Sequence, residues 1–398
     1  MNGLLITIEP LEIMFDHAVG FAVDNDLVLE VVQTSPNLEH NYSTPGACQR
    51  AWVNQVCLTT FLDWLQGEVT PHARVYPNTA ALPSIWEVVN GTAVNFDNSR
   101  LVLIPTLAMD GDELRVPQEW VDIPEWAADY YLAVQLNSDA GWMRVFGYTT
   151  HQQVKTVGVY DGSDRTYSLE SDQLISDLNV LWVTRQLSPQ EITRASVAPL
   201  PPLPQTQADN LLQRLSHADI KFPRLEVPFQ LWGALITHGG WRQRLYELRQ
   251  GVVESASVGQ WLQAGVANFA QQLGWERRQF LAISSGMRSA ESQVSLLGLS
   301  RQILVAGNTY ELRVISQGDP NENIWRFELH PTNSDNLIPV GFQLRLLTED
   351  LQPFPHNEDT ATIPREELSV EVMLETGEGL VWEVTPLPLD YEREILRF

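Results

Sequence analysis

The sequence predicts an α+β fold: an N-terminal helix plus antiparallel sheet, a short helical segment, and a C-terminal antiparallel β-sandwich. Three observations predict it. A capped stretch of helical spacing near the N-terminus is followed by short β-rich runs, four prolines crowd into residues 198–206, and past about residue 300 the apolar period switches from near 3.6 to 2. The 398 residues suffice for two or three domains. The expected boundaries are 1–187 for the α+β part, 188–210 for a Pro-rich linker, 211–298 for the helical segment and 299–398 for the sandwich.

Taken in order, residues 11–23 have the pattern of a short helix and residues 27–32 form an apolar run. Thr44 is an N-cap with Pro45 at the tolerated first helical position, and Trp52, Val56, Phe61 and Leu65 follow near helical spacing up to Gly67. Cys48 and Cys57 lie nine apart on this helix, so at about 100° per residue they face opposite ways and cannot bridge each other. Residues 85–89, Asn90-Gly91 and residues 92–96 match a type I′ hairpin. Strands are expected at 101–108, 113–117, 130–136 and 142–149, and a polar-capped helix at 171–187. Pro199, Pro201, Pro202 and Pro204 favour extended geometry. Helical spacing returns in Leu211, Leu212 and Leu215, in Phe229, Trp232, Leu235 and Ile236, and in Trp261 to Leu273, with Gly274 as the cap. Tyr310, Leu312 and Val314, then Trp325, Phe327 and Leu329, then Phe342, Leu344 and Leu346, and finally Leu368, Val370, Val372 and Leu374 alternate with polar residues, as half-buried strands do. Residues 380–384 add one more.

Within this last region the residues Phe327-Glu328-Leu329-His330-Pro331-Thr332, then Leu337-Ile338-Pro339, then 342–350 resemble the C-terminal strand pair of the cyanobacterial family of unknown function numbered eighteen twenty-two. Asn333 stands where that family has Gly. Residues 259–263 with Gly274-Trp275-Glu276 are similar to its Gln-Trp-Leu helix. The resemblance implies a cyanobacterial cytosolic protein and, from the regulatory genes that neighbour such genes, a signalling role. It brings no established activity and no catalytic residues.

Charge narrows the function classes. Fifty acids against 25 bases leave −25, which repels phosphate backbones and anionic membrane surfaces, so direct nucleic-acid and membrane partners are not expected. The balance is uneven: −17 over residues 1–210, +3 over 211–298 and −11 over 299–398. Residues 1–10 lack a basic and apolar export signal, and two unpaired cysteines suit a reducing compartment, so the expected localisation is cytoplasmic.

His238-Gly239-Gly240 resembles an oxyanion-forming loop, yet no GxSxG elbow accompanies it and it falls between two helical runs, which reads as a helix break. The eight histidines are scattered without metal-ligand spacing, and His330 at a strand end reads as structural, so no metal and no cofactor are expected. The runs 110–113 and 161–164 resemble calcium loops but lack the twelfth-position Glu, and Asp-Gly is what a turn demands.

The one basic segment pairs Trp241 with Arg242, Arg244, Arg249, Arg277 and Arg278, a composition enriched at binding hot spots. These six are the expected partner-binding residues, against the plainer reading that the segment docks on its acidic neighbours in the same chain. The leading functional expectation is a non-enzymatic cytosolic adaptor or regulator that binds another protein. The alternatives are a hydrolase centred on His238, with Ser284 or Ser285 as nucleophile, and an acidic nucleic-acid mimic.

Overall fold

The computed structural model describes residues 26–31, 42–111, 113–188, 190–217, 219–252, 256–282, 294–317, 323–333 and 335–398. The helix expected at 11–23 lies outside them. In chain order the first half contains β1 (Leu27–Glu30), α1 (Pro45–Glu68), β2 (Arg74–Tyr76), α2 (Leu82–Trp86), β3 (Thr92–Phe96), β4 (Ser99–Thr106), β5 (Glu113–Pro117), α3 (Gln118–Asp122), β6 (Tyr130–Asn137), β7 (Trp142–Thr150), α4 (His151–Thr156), β8 (Val159–Asp161), β9 (Thr166–Glu170) and α5 (Leu178–Leu187). The second half contains α6 (Gln205–Leu215), α7 (Phe229–Thr237), α8 (Gly239–Arg249), α9 (Val258–Ala264), α10 (Asn268–Gln272), β10 (Trp275–Ala282), β11 (Val294–Val305), β12 (Asn308–Gln317), β13 (Ile324–Pro331), β14 (Gln343–Thr348), β15 (Glu358–Thr360), β16 (Leu368–Met373), β17 (Gly379–Thr385) and β18 (Leu396–Arg397). This is a mixed α and β chain with several antiparallel sheets, and no helix among the described residues is long and apolar enough to cross a membrane.

Helix α1 forms as its sequence requires. Thr44 accepts from Ala47 N at 3.1 Å, Pro45 occupies the first turn, and the face carrying Ala51, Cys57, Phe61 and Leu65 is buried against the first sheet. Cys57 is buried and Cys48 exposed, as opposite faces demand. That sheet runs β1-β7-β6-β4-β3-β2. Its ladders are antiparallel except β4 with β6, which is parallel, a departure from the expected all-antiparallel sheet. The physical cause is the connection: the chain leaves β4, forms β5 and α3, and so re-enters in the same direction, which a tight turn cannot do.

The hairpin expected at Asn90-Gly91 is also displaced. Residues 82–86 are helix α2, and the hairpin joins β3 to β4 through Asp97-Asn98, with Asp97 at φ +47°. A five-residue run is too short to separate helix from strand, and Pro83 in the first turn of α2 tips the choice. Gly91 does adopt positive φ, +108°, but it serves a helix-to-strand corner. That corner is pinned by Asn54 of α1, which accepts from Gly91 N at 3.0 Å and donates to Asn90 Oδ1 at 2.8 Å, and by Trp120 Nε1 donating to Asn90 O at 2.8 Å. Similarly, the helix expected at 171–187 divides: residues 171–173 make one 3₁₀ turn, Ile175 bridges to Tyr148, and α5 starts after its Asp177 cap. The Asp161–Asp164 run forms the β8–β9 turn, and both carboxylates pair with Arg115.

Two hydrophobic clusters organise the molecule. The first gathers residues from Ala51 to Leu245, including α6, α7 and α8. The second runs from Val258 to Phe398 and takes α9 and α10 together with two antiparallel sheets, β10-β11-β12-β13-β16 and β15-β14-β17-β18. Residues 275–282 and 294–298, expected in the helical segment, are strand. The proline-rich run has no regular secondary structure, and Leu203 at its end is buried in the first cluster.

Candidate functional site

The two clusters meet where α7 gives way to α8. His238 ends one helix and caps the next, its Nδ1 accepting from Trp241 N at 3.3 Å and its ring stacked on Trp241 at 4.3 Å. The next two residues are glycines for a packing reason. A Cβ on Gly239 would stand 2.5 Å from Arg393 O, and one on Gly240 would stand 2.5 Å from Ile395 Cγ1, closer than real Cβ contacts allow. The helix break expected at His-Gly-Gly is there, and its use is to let residues 392–398 lie directly against the helix start.

Those last residues act as a strap between the clusters, with side chains that reach into both. Ile395 packs on the first cluster, while Leu396 and Phe398 belong to the second. Glu392 pairs with Arg242 of α8, and Arg393 reaches Glu125 of the first half at 3.3 Å. Glu394 turns the other way, accepting from Arg301 at 2.6 Å, from Trp382 Nε1 at 2.7 Å and from Trp275 Nε1 at 3.1 Å. Arg397 grips Glu349 through both nitrogens at 2.7 and 2.9 Å. Buried charges persist when each has a partner and further hydrogen bonds, and Glu394, with an arginine and two indole donors, meets both conditions.

The six expected partner-binding residues fall into two groups. Trp241 is 3% exposed and Arg242 1%, and Arg242 also donates to Ser84 Oγ at 3.0 Å and Ile236 O at 2.8 Å. Arg249 is buried as well, pairing with Glu87 at 2.8 Å while donating to Leu215 O and Ser43 Oγ. These three side chains dock inside the chain. Arg244 of α8 is half-buried, donating to Val252 O at 3.1 Å and pairing with Glu247 at 3.5 Å. Arg277 and Arg278 are exposed on β10, where Arg277 donates to Leu262 O at 3.0 Å and Arg278 pairs with Glu311 at 3.2 Å. The strap acids Glu392 and Glu394, and Glu87, went unnoticed in the sequence because their partners lie up to 162 residues away.

His238 is placed for structure as the chain is folded. Burial, then Arg393 and Arg242, push its pKa down to about 3, so the ring is neutral, and its Nε2 has no hydrogen-bond partner. Ser284 and Ser285, the expected nucleophiles, lie outside the described residues.

Beside the strap, α8 on one side and α9–α10 on the other enclose a cleft of about 110 Å³. Trp261, Phe269 and Leu273 give it apolar walls, Ile395 adds the strap's contribution, and Arg244, paired with Glu247, is among its lining. Its charged lining comprises four arginines and three glutamates, a local excess of one positive charge in a molecule of net charge −25. Pockets for small-molecule substrates and cofactors usually occupy about 300–1,000 Å³. This cleft has the volume of a side chain.

A family model described as "Protein of unknown function (DUF1822)" matches residues 31–397. No curated protein and no solved structure matches the chain.

Proposed function

The chain belongs to the DUF1822 family, and from that premise we propose that it is a non-enzymatic adaptor or regulatory protein whose seam cleft binds a segment of another protein. The observation that carries this reading is the cleft's size with its lining: room for one apolar side chain, an aromatic wall, and a positive local balance. The partner segment therefore presents a Leu- or Phe-sized side chain beside a carboxylate, the chemistry complementary to Trp261 and Phe269 within a lining that carries one excess positive charge. The second-cluster sheets are read as the two layers of a sandwich, supported by their shared hydrophobic cluster, and a cytosolic setting is supported by two free cysteines.

Ala256 lines the cleft and is exposed, so Ala256→Trp fills it without touching either core. The test is affinity capture with wild type and A256W in parallel, followed by calorimetry of the captured partner's own peptide. Capture of a defined protein by wild type, lost with folded A256W and reproduced by a peptide with an apolar side chain next to Asp or Glu, supports the reading. Identical partners on both proteins would remove the cleft from it.

A further inference from the structure

Strand β13 carries Arg326, Glu328 and His330 on one face, two residues apart, with Trp325, Phe327 and Leu329 turned into the second cluster. Its neighbour β16 pairs Leu368 opposite Leu329, so Glu367, one residue before β16, arrives opposite His330. Register thus brings together three ligand-bearing side chains that sequence spacing had left apart. Glu328 Oε2 lies 2.9 Å from His330 Nε2, and Glu367 Oε2 lies 3.6 Å from the same nitrogen. All three ligand atoms fall within 4.8 Å of one another, and all three residues are half-buried.

The outer oxygens explain why the inner ones converge. Arg326 Nε forms an ion pair with Glu328 Oε1 at 3.0 Å and its Nη2 donates to Glu367 Oε1 at 2.8 Å, so one guanidinium engages the oxygens of both carboxylates other than those nearest the imidazole. That is the task of an outer shell around a metal, which orients the ligands; here the inner atoms Glu328 Oε2 and His330 Nε2 are hydrogen-bonded to each other, a contact that an entering ion would replace. The neighbouring carboxylate, Glu311, opposite His330 on β12, is engaged elsewhere, by Ser300, Arg313 and Arg278.

We propose that Glu328, His330 and Glu367 form an open three-ligand site for a borderline divalent transition metal such as zinc. At metal–ligand bonds of about 2.0–2.2 Å, tetrahedral ligand atoms stand roughly 3.3–3.5 Å apart, and the two observed separations bracket that value. One imidazole nitrogen with two carboxylate oxygens favours zinc, cobalt or nickel over calcium or magnesium, which prefer all-oxygen sites. Solvent reaches the group from the open face of the sheet and completes the coordination.

The experiment uses the full chain, stripped with a chelator. Zn²⁺ is titrated by calorimetry, Co²⁺ by its visible absorption, and Ca²⁺ serves as the comparison. The expected result is one Zn²⁺ per chain, a Co²⁺ spectrum of low coordination number, and at least tenfold weaker binding in His330→Ala and in Glu367→Gln. Circular dichroism identifies any variant that fails to fold, and the Co²⁺ spectrum of wild type stands independently of the variants. Absence of stoichiometric Zn²⁺ binding to wild type would show that the group is an ion-pair cluster, and equal affinity in folded H330A would place the metal elsewhere; either overturns the site. Ca²⁺ binding as tight as Zn²⁺ would overturn the assigned class of ion.

Discussion

A buried neutral histidine makes this protein sensitive to acid. In the unfolded chain the His238 ring gains a proton near pH 6.5. In the folded chain it resists until about pH 3, because burial and the nearby Arg393 and Arg242 disfavour the charged ring. Above pH 6.5 both states are neutral and the residue has no effect on the slope. Between roughly pH 6.5 and 3 the unfolded state binds the extra proton, so stability falls as pH falls, by up to about 1.4 kcal/mol per pH unit for this one group. Asn is the substitution that isolates the effect, since its side-chain oxygen can still cap Trp241 N. His238→Asn is expected to be less stable at pH 7, having lost the stack on Trp241, yet to lose less between pH 7 and 4.5 than wild type does. Urea midpoints at the two pH values check this, and equal losses in both proteins would reject the assignment. The same scale explains why Arg249 and Arg242 could not be read correctly in isolation. An arginine beside a tryptophan has the same composition at a binding surface and inside a fold, and the partner, Glu87 or Glu392, decides between them.

Between elements, the seam depends on missing side chains as much as on charged ones. The start of α8 and the strap touch where Gly240 meets Ile395, and no Cβ fits there. Gly240→Ala is expected to cost about 1–3 kcal/mol, the usual range for overpacking a filled interior. Gly67 in α1 gives the opposite sign from the same chemical change. Nothing lies within 4 Å of its added Cβ, so Gly67→Ala should stabilise by about 0.5–1 kcal/mol through helix propensity. Chemical denaturation of both variants tests the contrast, and a neutral G240A would mean that the strap yields at little cost. At this scale α1 and the alternating strands of the second half were legible, since Thr44, Pro45 and a period of two are local signals. The placement of β4 beside β6, the hairpin at Asp97-Asn98 and the strand character of residues 275–282 were not, because each depends on which distant strand supplies the hydrogen bonds.

For the molecule as a whole, −25 is a self-repelling charge, and the ion pairs that hold the seam are largely shielded from solvent. Salt screens exposed charges over a Debye length of ~30 Å at 0.01 M and ~8 Å at 0.15 M, and acts much less on buried pairs. The melting temperature is therefore expected to rise across that range of sodium chloride, as repulsion weakens faster than the internal pairs do. A fall on adding salt would mean that exposed ion pairs outweigh repulsion. The family model spanning residues 31–397 bears out the resemblance read in residues 259–276 and 327–350.

The sequence by itself determined the elements with local causes: the capped helix, the run of alternating strands, the helix break at His238, the opposed cysteines and the family. Those follow from backbone caps, side-chain period and the glycine pair, all contained in a dozen residues or fewer. Only the tertiary fold turns Trp241, Arg242 and Arg249 inward, straps two cores together with residues 392–398, and brings ligand atoms of Glu328, His330 and Glu367 within 4.8 Å of one another. The physical reason is that a buried charge or a ligand site is a relation between chain segments far apart, and strand register and packing set that relation when the chain folds.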